Sequence, residues 1–339
     1  MVKDSKHVKI RMTGLAALLA VCFFGSFLMG KYAIDPGTLL KILLSRVMDI
    51  PVDWTVQDET VLFNVRMPRV IMAAVIGGGL ACAGAAYQGI FQNPMVSPDI
   101  LGASNGAAFG AALGLFFSIG YQAVSVSAFL FGILAVAIVL AISRRVKFNV
   151  TLGLILAGIM VGSIFNAGVS YLKLVADPTD TLPAITYWLM GSLASTRTQD
   201  VFFACPPIII GILPILLLRW RLNVLTMGDE EARTMGINAR VVRTVVILGA
   251  TLITAAAVSV SGLIGWVGLV IPHFARMIVG DDYRTMLPAS VLLGSSFLLV
   301  VDNFARMLAT REIPIGILTA FIGAPFFLYL ILKEGGRQR

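Results

Sequence analysis

The chain has 339 residues, 58% of them hydrophobic and 13% charged, with a mean hydropathy of +0.90 and a net charge of +8. Such a composition leaves too little polar surface to clothe a water-soluble globule, so the bilayer is the expected solvent. The basic excess is then read by membrane side and not as a nucleic-acid footprint, and no nucleic-acid partner is expected.

Each crossing of roughly 30 Å of hydrocarbon takes about 20 apolar residues with every backbone group bonded inside its own helix. The pattern predicts an all-α integral membrane protein, one domain over 1–339, with about ten transmembrane helices. The first, near 12–31, is followed by Lys31 and Asp35 and by no small-residue cleavage site, and is expected to stay as a membrane helix. A polar segment, about 32–67, leads to a second span near 68–91 and a third near 100–118. Both are dense in small residues (GGGLACAGAAYQG, GASNGAAFGAALG), which let backbones approach where lipid gives no hydrophobic drive for helix association. Between them Asn93-Pro94 reads as a turn.

Spans four and five lie near 122–142 and 150–173. The following segment holds LPAITYWLMGSLAS, with Tyr187 and Trp188 among apolar residues, and predicts an outer interfacial helix within 178–198. After the sixth span, near 201–218, comes TMGDEEARTMGINARVVR, charged and broken by Gly228 and Gly236. Its pattern suits two small helices at the membrane surface, with Asp229 and Glu230 near a helix start. The last four spans are placed near 243–262, 263–279, 286–305 and 313–332, the eighth being short and interrupted by Pro272.

With the N-terminus inside, 17 of the 26 Lys and Arg fall on inner segments. They include Lys3, Lys6, Lys9 and Arg11, then Arg144, Arg145 and Lys147, and finally Lys333, Arg337 and Arg339. The outer basic residues are diluted by Asp35, Asp49, Asp53, Asp58 and Glu59, so both termini are expected in the cytoplasm. A shift of 178 residues superimposes Gly84, Pro94 and Gly102 on Gly262, Pro272 and Gly280. The two copies would run in opposite directions, as in transporters built from inverted repeats.

No span carries a paired-carboxylate site, a His cluster, a nucleophile elbow, a zinc-protease motif or a phosphate-binding loop, so the chain is not expected to be an enzyme. Asp99, His273 and Asp302 fall near span ends, which weighs against an ion-coupled carrier. Cys22, Cys82 and Cys205 lie in apolar runs without ligand spacing, and the 14 Met follow no fixed period; both types read as packing residues. A lone His273 beside a helix break is read as a hydrogen-bonding residue and not a metal ligand.

Four stretches together carry a resemblance: RMPRVIMAAVIGGGLACAGAAYQGIFQNPMVSPDILGASNGAAFG, GDEEARTMGIN, SGLIGWVGLVIPHFAR and PIGILTAFIGAPFFLYLIL. The chain resembles the FecCD or cobalamin-type permease subunits of binding-protein-dependent ABC importers for iron-siderophore, haem and cobalamin. The resemblance implies a type II ABC importer permease fold with an inverted repeat in the cytoplasmic (inner) membrane. Its partners would be a second permease copy or a related permease, two cytoplasmic ATPase subunits and an extracytoplasmic substrate-binding protein. No cofactor is implied in this chain; ATP and Mg2+ would sit in the ATPase.

The resemblance also makes Gly228, Asp229, Glu230, Glu231, Ala232, Arg233 and Gly236 part of the ATPase-coupling helices. It assigns Arg66, Arg69 and Arg306 to binding-protein docking, and Asn93, Pro94, Met95 and Thr151 to a gate at the cytoplasmic end of the pathway. For the arginines the residues alone allow another reading, with Arg66 and Arg69 anchoring a span at the interface and Arg306 pairing with Asp302 at i,i+4. The implied cargo is an iron chelate, siderophore or haem, with cobalamin or a molybdate-like oxyanion as the alternative.

Overall fold

The computed structural model describes residues 5–46, 48, 51–146 and 150–335. Lys3, Asp49, Lys147, Arg337 and Arg339, used above in the charge argument, lie outside the described residues. All regular elements among the described residues are helical. In chain order they are α1 (Ser5–Leu28), α2 (Pro36–Leu44), α3 (Val56–Thr60), α4 (Met67–Ile90), α5 (Ala103–Phe116), α6 (Tyr121–Ser143), α7 (Val150–Val175), α8 (Thr181–Leu189), α9 (Thr198–Leu217), α10 (Arg219–Leu225), α11 (Asp229–Thr234), α12 (Ala239–Ser261), α13 (Val267–Val279), α14 (Tyr283–Met307) and α15 (Ile315–Gly335).

Seven stretches among the described residues are long and apolar enough to cross a membrane: α1, the continuous 35-residue run Val56–Ile90, α6, α7, α9, α12 and α14. The other three expected spans are α5, α13 and α15. The third is shorter than expected: Pro98 opens a 3-10 turn over Pro98–Leu101, Gly102 turns with φ +79°, and only 14 residues remain for α5. At 1.5 Å per residue it covers about 21 Å, less than the hydrocarbon thickness. The helix expected at the outer interface within 178–198 occupies only Thr181–Leu189.

Helices α4, α12 and α14 form the buried centre, and close backbone approach joins α4 to α14 and to α13. A Cβ on Gly77 would come within 2.3 Å of the Gly294 carbonyl oxygen, and one on Gly84 within 1.8 Å of that of Gly268. The glycines of the second span therefore do what the small-residue pattern asks of them, bringing α14 and α13 against α4.

The order long, short, long, long recurs in α4–α7 and α12–α15. The register differs from the 178-residue shift read in the sequence: α4 and α12 start at 67 and 239, α5 and α13 at 103 and 267. Pro94 lies in the loop after α4 whereas Pro272 is inside α13, and Gly102 opens one short helix whereas Gly280 closes the other. The structural counterpart of Gly102 is Trp266, which precedes α13 with φ +69°. Gly102 faces Gly158 and Gly162 of α7; Trp266 faces Gly323 of α15. A bulky residue at positive φ is unusual and marks the strain of this turn. The copies are inverted: α4 ends where the Gln92 amide donates to the Leu225 carbonyl of α10 (2.7 Å), and α12 begins at that same end, just beyond α11.

Candidate functional site

One end of the bundle is marked by the short helices α10 and α11; of the two small helices expected within 226–240 only α11 falls there, and α10 ends before it. Gly228, φ +134°, precedes α11, and Gly236, φ +76°, follows it, so both breaks fall where a left-handed backbone needs no Cβ. Ala232 is fully buried under α11 while Asp229, Glu230, Glu231 and Arg233 are exposed. Asp229 is fastened to Arg243 of α12 (2.9 Å), and the Glu231 carboxylate folds back over Gly228. Glu230 and Arg233 point outward, flanked by the exposed apolar side chains of Met227 and Met235. A hollow of about 610 Å3 opens between α11 and the start of α12, lined by Asp229, Glu230, Arg233, Ile237, Asn238 and Arg240.

The residues read as a gate lie at this end too. Asn93, Pro94 and Met95 form an exposed loop after α4, in which the Asn93 side chain accepts from the Met95 N–H (2.9 Å). His273 Nε2 is 3.0 Å from the Pro94 carbonyl oxygen, a hydrogen-bonding role as its sequence context suggested. Gln88 ties the base of the loop to α13 by donating to the Leu269 carbonyl (3.3 Å) and accepting from Arg276 (2.6 Å). Thr151 sits half-buried in the first turn of α7. Among the described residues no hydrogen bond or ion pair joins Thr151 to the 93–95 loop.

At the opposite end the arginines expected to dock a partner are buried. Arg66, on a π-helical segment that merges into α4, donates to the Phe27 and Tyr32 carbonyls. Arg69 is held by Asp302 (2.9 Å) and Glu312 (2.9 Å), and is 4% exposed. Arg306 pairs with Asp302 at i,i+4 (3.2 Å), donates to the Met29 carbonyl (3.1 Å) and to Asn303, and is 6% exposed. These three do not present charge to a docked partner, because internal carboxylates and carbonyls occupy their guanidiniums. The i,i+4 reading of Arg306 is the one the geometry carries. Exposed basic side chains at this end are Lys31, Lys41, Arg46, Arg197 and Arg311, of which Lys41 and Arg46 pair with Asp53 and Glu59. A cavity of about 720 Å3 lies beside the cluster, lined by Tyr121, Ser125, Trp188, Ser195, Ser261 and Glu312 among others.

Sequence reasoning did not single out the stripe on α7. Ser163, Asn166 and Ser170 are exposed at i, i+3 and i+7, next to exposed Met160, Ile164 and Tyr171. The signal was present as three polar residues on one face of an apolar span. Among the described residues no group of three or more His, Cys, Asp and Glu is placed to hold a metal ion.

The model of the FecCD transport family matches residues 18–333. The chain belongs to that family. It is 40% identical to the molybdate import system permease protein MolB of Haemophilus influenzae, over 95% of this chain and 96% of that protein. It is 38% identical to the cobalamin import system permease protein BtuC of Halobacterium salinarum, over 96% and 89%. Among solved structures, an inward-facing ABC transporter described as metal-chelate type matches with a TM-score of 0.84 and 38% identity, covering 95% of this chain and 98% of that one. The FecCD chain is thus a multi-pass permease of an ABC importer.

Proposed function

We propose that this FecCD permease forms, with a second permease copy or a related permease, the central pathway of an ATP-driven importer in the cytoplasmic membrane. The end carrying α11 faces the cytoplasm, as do both termini. Two ATPase subunits, which bind ATP and Mg2+, dock on Glu230, Arg233 and the flanking methionines, and an extracytoplasmic binding protein delivers cargo to the other end through the exposed basic residues there.

The observation that carries the pathway is the α7 stripe. The Ser163 and Ser170 hydroxyls donate to the i−4 carbonyls of their own helix (2.8 and 3.0 Å) and so fit either setting. The Asn166 side-chain amide, by contrast, is costly against lipid and places this face at a wetted seam between subunits. The exposed face of α7 is free of Asp, Glu, Lys and Arg between Met160 and Tyr171, and suits passage better than tight retention. ATP-driven closure of the ATPase pair moves the docked helices and alternates access, with no covalent chemistry in this chain.

The proposed cargo is an iron chelate, a siderophore or haem. A molybdate-like oxyanion is a second reading, favoured by the 40% identity to a molybdate permease. Uptake by the reconstituted importer of ferric siderophore, haemin, cobalamin and molybdate, each labelled, separates them. ATP-dependent uptake of an iron chelate is expected; uptake of molybdate alone would replace the first reading with the second. Uptake driven by an ion gradient without ATP would overturn both.

A further inference from the structure

Helix α10 leaves α9 with only Leu218 between them and reaches α11 across three residues. Its buried Leu222, Val224 and Leu225 hold it to the bundle by apolar contact. Such contact is non-directional and permits small slides and rotations. Direction comes from the Arg219 guanidinium, which donates to the Arg284 carbonyl at the exposed edge (3.3 Å), and from two side-chain amides. The Asn223 amide nitrogen donates to Asp282 Oδ1 (2.6 Å), and its oxygen accepts the Tyr283 N–H (2.7 Å). A carboxylate that only accepts and an N–H that only donates require an amide between them, so the two contacts fix the rotation of α10 against the start of α14. Asp282 also caps α14 through the Arg284 N–H (2.9 Å).

The second amide is that of Gln92, which donates to the carbonyl of Leu225, the last residue of α10 (2.7 Å). That oxygen also accepts the Gly228 N–H (3.3 Å), so Gln92 grips the junction of α10 with α11. Gln92 itself has φ +49°, an uncommon conformation for glutamine, and it immediately precedes the 93–95 loop.

We infer that Asn223 and Gln92 are positioning residues that carry movement of α10 and α11 to α14 and to the 93–95 loop. The inference rests on the coupling reading above. Without these amides the lever still binds its ATPase and stays joined to α9 and α12, but its movement is no longer passed to α14 and the 93–95 loop.

The test uses the permease–ATPase complex in lipid nanodiscs, with Met95→Cys as reporter. A membrane-impermeant maleimide labels it with and without Mg-ATP, and labelling at position 95 is quantified by peptide mass spectrometry. In the parent complex nucleotide changes the labelling rate roughly fivefold or more, the scale of an ordinary coupling energy. Asn223→Asp faces two carboxylates against each other and loses that response while ATP hydrolysis continues. The exchange Asn223→Asp with Asp282→Asn restores a donor–acceptor pair, keeps an N-cap residue on α14, and restores the response. Gln92→Asn is tolerant of positive φ, is one methylene too short to reach Leu225, and also loses it.

A parent complex that fails to form, or that shows no nucleotide response, contradicts the coupling reading itself and removes the basis of this inference. A responsive parent whose Asn223→Asp and Gln92→Asn forms respond as it does overturns the inference and leaves the coupling reading standing. Should Asn223→Asp fail to assemble, the response of Gln92→Asn decides.

Discussion

The two ends of this permease carry the same kinds of residue, arginines beside acids, in opposite arrangements. Around Arg69 the charges close on one another: Asp302, 1% exposed, serves both Arg69 and Arg306, and Glu312 completes the ring. Around α11 they open outward, with only Asp229 tied down and Glu230 and Arg233 left facing solvent. A closed cluster in a low-dielectric setting locks helices α1, α4 and α14 together, because any one charge is costly without its partners. An open cluster contributes little to folding and is available for a partner.

The largest effect expected from this contrast is at the closed end. Asp302→Ala leaves two buried guanidiniums short of an acceptor, and loss of one member of a buried ion pair costs about 3–5 kcal/mol. Thermal unfolding in detergent checks it; a melting temperature unchanged from wild type would show that water already reaches the cluster. A smaller effect is expected at the start of α14, beside α10. The Arg284 side chain, the Asn223 amide and the Arg284 N–H hold the Asp282 carboxyl down to about 2, against partial burial. A carboxyl depressed in the folded state stabilises it above its unfolded value near 3.8, and that contribution is lost as pH falls from about 4 to 2. Asp282→Asn should therefore flatten the decline in melting temperature over that window, and an identical decline in wild type and variant would contradict the assignment. The least effect on stability belongs to Glu230→Lys with Glu231→Lys, within about 0.5 kcal/mol, as for surface changes away from buried networks.

The hydropathy of the chain made the membrane helices legible, the breaks at Gly228 and Gly236 bracketed α11, and the Gly/Pro pattern pointed to inverted copies. Register within the repeat was not legible. Gly102 and Trp266 take equivalent positions by backbone conformation, and nothing in the two side chains announces it. The fate of the arginines was hidden for a different reason. Arg69 and Asp302 are 233 positions apart, so a local reading of RMPR shows a basic motif at a span start and not the acids that cover it. Asn223 and Gln92 were missed because hydrogen bonds between segments far apart in the sequence leave no periodic trace.

The most direct test of the account is whether α11 is the surface that holds the ATPase. The wild-type permease and Glu230→Lys with Glu231→Lys are purified gently from the native membrane, and the co-purifying ATPase is quantified by mass spectrometry. The account predicts an ATPase bound to the wild type and lost from a variant that is otherwise folded and inserted. An equal amount of ATPase on both would contradict it.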